Sequence, residues 1–542
     1  MSPELSAGPM KWYGWGDPER RLTLGDDAIA MLRSEVGEGA PDGRASLESV
    51  VVPAPLPLPA AIAEVVGPAA VLTGHEHRVR RAAGRGYPDL VRLRAGRLDD
   101  APDAVVLPGS ADEVARVLEI CGREGIGIVP FGGGTSVVGG VEPARGAFER
   151  LITLDLRRLH GVEVDRTSLI ATLGPGLRGP EVEEALAASG MTLGHFPQSF
   201  EYATIGGFAA ARSAGQASSG YGRFDELVTS VRLTSPAGEL RTLETPHTAA
   251  GPALRELVLG SEGLLGVITQ VTARVRPAPE RRRYEAWMAP DFASAADIVR
   301  SLAQSRSLPD VIRVSDEAET RTSLAMSGTG GGKRALLGAY LRLRGRDRGC
   351  IVICGWEGEA EAVERRRAIA TRMLRSGGAA ALGAGPGRAW ERGRYEGPYL
   401  RDELLDLGYM AETLETAHTW GRLGELYDGV RAAIGTSLAA QGTPGVVMCH
   451  LSHAYPDGAS LYFTFIASRR PDAELEQWRV VKAAASEAVI EAGGTITHHH
   501  GVGRDHVPYM RAEVGDVGIE TLRAVKERLD PAGIMNPGKL LP

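Results

Sequence analysis

The chain has 542 residues, of which 43% are hydrophobic, and a formal net charge of −7. That length predicts two or more domains rather than one core, and the acidic balance gives no support to a nucleic-acid partner. Cys121, Cys350, Cys354 and Cys449 are too few and too scattered for a secreted disulfide framework.

No basic segment followed by an apolar run opens the chain, and no window reaches the roughly 18 apolar residues of a spanning helix. A soluble cytoplasmic protein is expected, with peripheral membrane contact left open. The arginines of HRVRR (77–81) are candidates to meet an acidic surface.

Residues 1–95 mix short helical patterns with loop-like composition around 36–44 and the proline run VPAPLPLPA. From about 96 the texture changes to strands alternating with helices. DAVVLP reads as a strand. SADEVARVLEICGREG follows as a helix capped by Ser110, with Glu113 at the capping-box position and Val114, Val117, Leu118 and Cys121 on one face. GIVP is a strand running into PFGGGTS, LITLDL another, and LIATLGPGLRG a strand and turn before a helix with Pro180 at its start. ELVTSVRLTSPAGELRTL predicts a hairpin turning at Ala237–Gly238. An α+β unit is expected over 96–278.

The pattern resets after PAPERRRYEAWMAP. Helices are expected over 293–305, 358–375, 421–440 and 474–492, with strands at ALLGAYLRLRG and CIVICGW. GVVMCHLSHAYPDGASLYFTFIA reads as two strands joined by a turn at Pro456–Asp457–Gly458. A second α+β domain is expected over 279–495, with 496–542 returning to the first.

Three glycine-rich blocks are candidate ligand loops: PFGGGTS (130–136), QSFEYATIGGFAA (198–210) and LGSEGLLGVIT (259–269). Consecutive small residues expose backbone N–H groups that can form an anion-binding nest. Taken alone, PFGGGTS reads equally as a ligand loop or a tight turn. Its spacing fits neither the dinucleotide fingerprint nor the nucleotide-triphosphatase loop. THHHG (497–501) places three imidazoles in a row and is open to three readings: a metal site, a pH-sensitive patch or a set of proton-transfer groups. Cys449, His450 and His453 of CHLSH could join it as metal ligands. Strand alternation would put Cys449 and His453 on one face and turn His450 away. No metal is expected.

The ordered set PFGGGTS, ITLDL, PQSFEYATIGGFAA, GSEGLLGVIT and LDPAGIMNPGKLL resembles FAD enzymes of the vanillyl-alcohol-oxidase type. The resemblance implies an α+β fold, with a two-part FAD-binding domain and an α+β substrate-binding cap. It implies FAD contacts from Pro130, Phe131, Gly132, Gly133, Gly134, Thr135 and Ser136, and from Gln198, Ser199, Phe200, Glu201, Tyr202, Ala203 and Thr204. A third set runs through Gly260, Ser261, Glu262, Gly263, Leu264, Leu265 and Gly266, with Arg212 and Ser213 as additions. Some relatives attach flavin through a histidine near the first loop. GGGTS lacks one, so a non-covalent FAD is expected.

MKWYGWG (10–16), GYMAETLETAHTW (408–420), SHAYPDGASLYFTF (452–465) and THHHGVG (497–503) narrow the resemblance to the alkyldihydroxyacetonephosphate synthase family. That family exchanges the acyl group of acyl-dihydroxyacetone phosphate for a long-chain fatty alcohol. An ether forms without net oxidation, through a flavin N5 adduct. The resemblance assigns proton transfer to His498, His499 and His500, with His499 first choice as base. If the segment is extended, His499 points away from the other two.

Tyr462 is carried over as the acid, preferred to Tyr455, whose Pro-Asp-Gly neighbourhood places it nearer a turn. Arg401 is the leading phosphate anchor, Arg313 second, and His418 a pocket-lining candidate. A homodimer is left open. The alternatives are an FAD-dependent oxidase or dehydrogenase of a hydroxy acid or alcohol, and a non-catalytic flavin-binding sensor or scaffold.

Overall fold

The computed structural model describes residues 10–326 and 338–542. Its first sheet is assembled from β1 (Val71–Leu72), β2 (Ala104–Val106), β3 (Ile126–Phe131) and β4 (Arg150–Asp155), in the order β1-β2-β4-β3. The β2–β4 and β3–β4 pairs are parallel, so a helix must cross between β2 and β3. That helix is Ala111–Glu124. The Ser110 hydroxyl accepts from the Glu113 N–H, while the Glu113 carboxylate reaches back to the Gly109 N–H at 2.7 Å. Its apolar stripe, Val114, Val117, Leu118 and Cys121, is fully buried.

β5 (Val162–Asp165), β6 (Ile170–Leu173), β7 (Met191–Thr192), β8 (Val228–Ser235), β9 (Gly238–Arg241), β10 (Val267–Arg274) and β11 (Arg276–Pro277) follow. Five of them form the sheet β5-β6-β10-β8-β9, and β7 pairs with β11. The β8–β9 hairpin closes with Ser235 opposite Gly238, so its two turn residues are Pro236 and Ala237, one position earlier than expected.

The largest sheet has seven strands: β12 (Arg281–Ala289), β13 (Val311–Ser315), β14 (Cys350–Gly358), β15 (Ala380–Gly383), β16 (Tyr409–Thr419), β17 (Gly445–Ala454) and β18 (Gly458–Ser468). Their order is β15-β12-β14-β13-β17-β18-β16. One face buries Ile312, Val314, Cys354, Leu414, Cys449, Leu451, Phe463 and Phe465. Against it lie the helices Phe292–Gln304, Ala360–Ser376, Leu423–Ala440 and Glu474–Glu491. The alternate residues face the other way, and there the site is built. We propose a domain boundary at 278–279 from where these sheets fall, with β1 (Val71–Leu72) joining the first sheet from within residues 1–95.

Two expectations are corrected. ALLGAYLRLRG does not form a strand where it is described: residues 338–343 are helical, and 335–337 lie outside the described residues. Leu, Ala and Arg are good helix formers, and among the described residues no strand pairs with 338–345.

The arginines of HRVRR are internal staples rather than a docking surface. Arg78 donates to the Pro102 and Pro53 carbonyls at 2.6 Å each, Arg81 pairs with Asp155 at 3.1 Å, and Arg80 reaches the Met10 carbonyl at 2.7 Å. The tail returns to the first sheet. The Ile128 N–H donates to Ile534 O at 2.8 Å and the Asn536 N–H to Ile128 O at 2.7 Å.

Candidate active site

The three glycine-rich blocks meet. A Cβ on Gly132 would strike Thr204 Oγ1 and one on Gly133 the Tyr202 carbonyl oxygen, so the first loop seats directly on the second. One on Gly263 would come 2.9 Å from Pro130, which ties the third block to the first, and Gly134 and Gly263 hold positive φ of 67° and 77°. Asn536 Nδ2 clasps the assembly by donating to Gly140 O and Glu262 O at 3.2 and 2.6 Å.

Within these loops Thr204 caps the helix Ile205–Ala210, and the Ser199 carbonyl accepts from Tyr202 and Ala203. Phe200 stacks on Tyr395 at 5.4 Å, and Glu201 pairs with Arg20 at 3.1 Å. Ser136 Oγ accepts from the Gly140 N–H at 2.9 Å. Leu264 and Leu265 are buried.

Some expected FAD contacts have other work. Arg212 is committed to Leu259 O, Glu256 and Asp225 at 2.9–3.4 Å. Ser213 holds His195 at 3.0 Å. The Glu262 carboxylate accepts from the Val502 and Gly503 N–H groups at 2.6 and 2.8 Å, fastening the histidine segment to the third loop.

The donor set fits a large polar cofactor. Gln198 Nε2, Ser261 Oγ and His195 Nδ1 are buried without a partner among the described residues, an arrangement native interiors rarely leave unmet. Together with the side-chain-free face of Gly132–Gly134, they supply N–H and O–H groups for phosphate and heterocycle.

On the open face of the seven-stranded sheet, strand register sets four polar side chains in a row. Glu415 lies opposite Tyr462, Tyr462 opposite His450, and His450 opposite Ser315, two residues from Arg313. The His450 ring stacks on Tyr462 with centroids 4.7 Å apart. Arg313 contacts Glu319 at 2.5 Å and His450 at 3.0 Å, so its charge is already paired, and with His450 it holds Glu319 down to about 2.

His418 is an odd number of residues from Glu415 and so falls on the opposite face. Its Nδ1 accepts from the Thr419 N–H at 2.7 Å, and nothing brings it to the imidazole cluster.

Residues 495–500 are not extended, so the alternation of an extended segment does not apply to the three histidines; they wrap around Glu415. The N–H groups of His498, His499 and His500 all donate to its carboxylate, at 2.5, 2.9 and 2.7 Å, and Thr497 Oγ1 adds a fourth bond at 2.7 Å. One buried anion thereby turns three consecutive side chains into one pocket. His499 sits between the other two rings, with centroids 5.3 and 4.9 Å away, and Tyr462 stacks on it at 6.1 Å and meets His500 edge-on at 5.4 Å.

Burial depresses all three imidazoles below their ordinary range, His500 to about 3, with crowding by neighbouring histidines a smaller cause for His498 and His500. The nearby imidazoles and the backbone donors hold Glu415 well below the usual carboxylate range despite burial. Tyr462 is pushed up to about 12 by burial and stays protonated at neutral pH.

Tyr455, ranked second in sequence, is at the site as well: its hydroxyl lies 2.8 Å from His498 Nε2. His453 also differs from expectation. A register shift between Leu451 and Ala454 inserts one residue, reversing the alternation. Cys449 therefore enters the core while His453 stacks on His498 at 5.2 Å. Nitrogens of His453, His498 and His499 lie within 4.8 Å of one another, but the Arg223 guanidinium stands 3.1 Å from His498 Nε2 and disfavours a cation there.

Arg401, on the helix Gly397–Asp406, makes no ion pair among the described residues, and its Nε is buried without a partner. Its positive charge opposes, in part, the upward push that burial gives the Tyr462 phenol. The helix is held by its next residue. Asp402 accepts from the Trp15 N–H at 2.7 Å and lies 3.8 Å from Lys11, so MKWYGWG braces the element that presents Arg401.

A family model described as "FAD binding domain" matches residues 102–244, and one described as "FAD linked oxidases, C-terminal domain" matches 278–540. The alkyldihydroxyacetonephosphate synthase of Dictyostelium discoideum is 32% identical over 98% of this chain and 93% of its own length. The chain belongs to the alkyldihydroxyacetonephosphate synthase family.

The synthase of Trypanosoma brucei brucei is 34% identical over 86% of this chain and 77% of its own. A solved alkyldihydroxyacetonephosphate synthase structure superposes with a TM-score of 0.85, at 29% identity, over 98% of this chain and 99% of that one. As in its family, the fold is α+β of the vanillyl-alcohol-oxidase type and the cofactor is FAD. Glu415 and Arg223 are not singled out as site residues by the sequence, which offers Tyr455 only as the second-choice acid and His453 only as a possible metal ligand. Glu415 stands inside a family segment without an assigned role, and three of its four donors are backbone groups, which no side-chain pattern reveals.

Proposed function

We propose that the protein exchanges the acyl group of acyl-dihydroxyacetone phosphate for a long-chain fatty alcohol, releasing a fatty acid and leaving an ether on the C1 carbon. The observation that carries this reading is the gathering of three imidazoles and a phenol around one buried carboxylate, with a guanidinium that makes no ion pair among the described residues. FAD is bound non-covalently by residues 130–136, 198–204 and 260–266, and when bound it supplies the electrophile for the carbon that changes partners.

The imidazole row takes the C1 proton and returns it. A neutral imidazole has the lone pair this needs, and burial keeps it neutral at physiological pH. Tyr462 donates a hydrogen bond from its hydroxyl to the departing ester oxygen. Arg401 binds the phosphate, since a guanidinium that makes no ion pair among the described residues offers a fork of donors to a dianion. Arg313, already paired with Glu319, holds His450 under the Tyr462 ring and contributes less to phosphate binding.

Both substrates carry long alkyl chains, so peripheral contact with a lipid surface belongs to the proposal. Among the described residues no helix is long and apolar enough to cross a membrane. The test is to supply the purified flavoprotein with acyl-dihydroxyacetone phosphate and hexadecanol. Fatty acid release equal to ether formation, without reduction of an electron acceptor, supports the exchange. Acceptor reduction by a hydroxy acid supports an oxidase or dehydrogenase instead.

A further inference from the structure

The proton positions on the histidine row follow from one residue outside it. Arg223 precedes the short helix Phe224–Leu227, and its Nε pairs with Asp225 at 3.0 Å. Its Nη2 donates to the Arg212 carbonyl at 3.2 Å, and its Nη1 reaches both His498 Nε2, at 3.1 Å, and the His498 carbonyl, at 3.2 Å. A guanidinium has donors only and keeps its proton. His498 Nε2 must therefore be the acceptor. Burial and the adjacent guanidinium keep His498 neutral, which leaves its single ring proton on Nδ1.

That nitrogen lies 3.0 Å from His499 Nδ1. With the proton on the His498 side, His499 Nδ1 accepts, and the His499 proton must sit on Nε2. One donor-only side chain thus fixes two tautomers in series.

We propose that Arg223 is a positioning residue that locks His498 as its Nδ1–H tautomer and His499 as its Nε2–H tautomer, so that His499 meets the substrate as a hydrogen-bond donor and not as the base. This rests on the exchange reading above and replaces the sequence expectation for His499. The lone pair open to the C1 proton then belongs to His500, whose ring makes no hydrogen bond among the described residues. Protons balance. The one taken from C1 returns to C1, and the one lost by the alcohol hydroxyl offsets the acid released.

The experiment is long-range proton–nitrogen NMR of the histidine-labelled, flavin-loaded protein, with the His498 and His499 signals assigned by subtraction in H498Q and H499Q. The expected spectrum shows a protonated Nδ1 on His498 and a protonated Nε2 on His499. Arg223→Met should convert both to mixed tautomers and lower kcat at least about tenfold with little change in KM or flavin content, and Arg223→Lys, which keeps a donor and a charge, should restore much of both.

A His499 carrying its proton on Nδ1, or a doubly protonated His499, overturns the proposal. So does an Arg223→Met protein with unchanged tautomers and kcat. Should Arg223→Met fail to fold, the unsubstituted and Arg223→Lys proteins still decide. The tautomers are read without turnover, so a protein that shows them and performs no exchange removes the exchange reading alone.

Discussion

Replacing Glu415 by Gln removes the anion around which the histidine row is folded while preserving the shape of the side chain. One carboxylate oxygen accepts from Thr497 Oγ1 and the His499 and His500 N–H groups at 2.7–2.9 Å; the other accepts from the His498 N–H at 2.5 Å. A glutamine has one carbonyl oxygen, so whichever way it turns its NH2 group faces at least one buried N–H donor. A hydrogen bond to a charged group contributes about 1.5–3 kcal/mol, and the N–H left unmet costs about 1–3 kcal/mol more.

Taking about 3 kcal/mol as the local penalty, the wrapped conformation becomes roughly 100-fold less favoured against competing loop states. Exchange activity should fall by about that factor, while the flavin, held by loops outside this segment, stays bound. Ether formation under saturating substrates, with the visible flavin spectrum recorded on the same sample, measures both. Unchanged activity in a folded, yellow Glu415→Gln protein would refute the idea that this carboxylate shapes the site.

Arg401→Ala should raise KM for the phosphate-bearing substrate at least about tenfold with little effect on flavin absorbance, as steady-state kinetics with varied acyl-dihydroxyacetone phosphate would show. Gly133→Ala places a methyl group against the Tyr202 carbonyl oxygen, so the purified protein should contain much less FAD, measured by absorbance per mole of protein. His195, buried against Phe208 and Phe224, is held at about 3 in the folded state against an ordinary value of 6.5. The unfolded chain therefore binds the extra proton as pH falls below 6.5, and stability is lost over the window down to about 3. In urea titrations the His195→Gln protein should lose less stability between pH 6.5 and 4 than the parent, a comparison in which the buried carboxylates cancel.

Most of the architecture was legible where local signals agreed with the tertiary structure. Ser110 and Glu113 announced a helix start that the structure realises, and Pro456–Asp457–Gly458 marked the turn between β17 and β18. The glycine blocks could be recognised as loops because side-chain-free backbone is needed where chains approach as closely as Gly133 and Tyr202.

The site was legible by residue type and not by arrangement. Strand alternation explains why Glu415, Tyr462 and His450 share a face, yet the same rule misplaced His453. One inserted residue between Leu451 and Ala454 reverses the phase and leaves no mark in composition. The path of the histidine row stays open in sequence, because nothing in THHHG reveals that its N–H groups are claimed by a glutamate more than eighty residues away. Turn chemistry ranks Tyr455 below Tyr462 because it predicts backbone direction and not the reach of a phenol.

The central claim is that the bond between C1 and the ester oxygen breaks and a new bond to the alcohol oxygen replaces it. Hexadecanol labelled with oxygen-18 tests this directly, by mass spectrometry of both products. The account predicts that the ether carries the label in full and that the released fatty acid carries none. Label in the fatty acid, or an unlabelled ether, would contradict it.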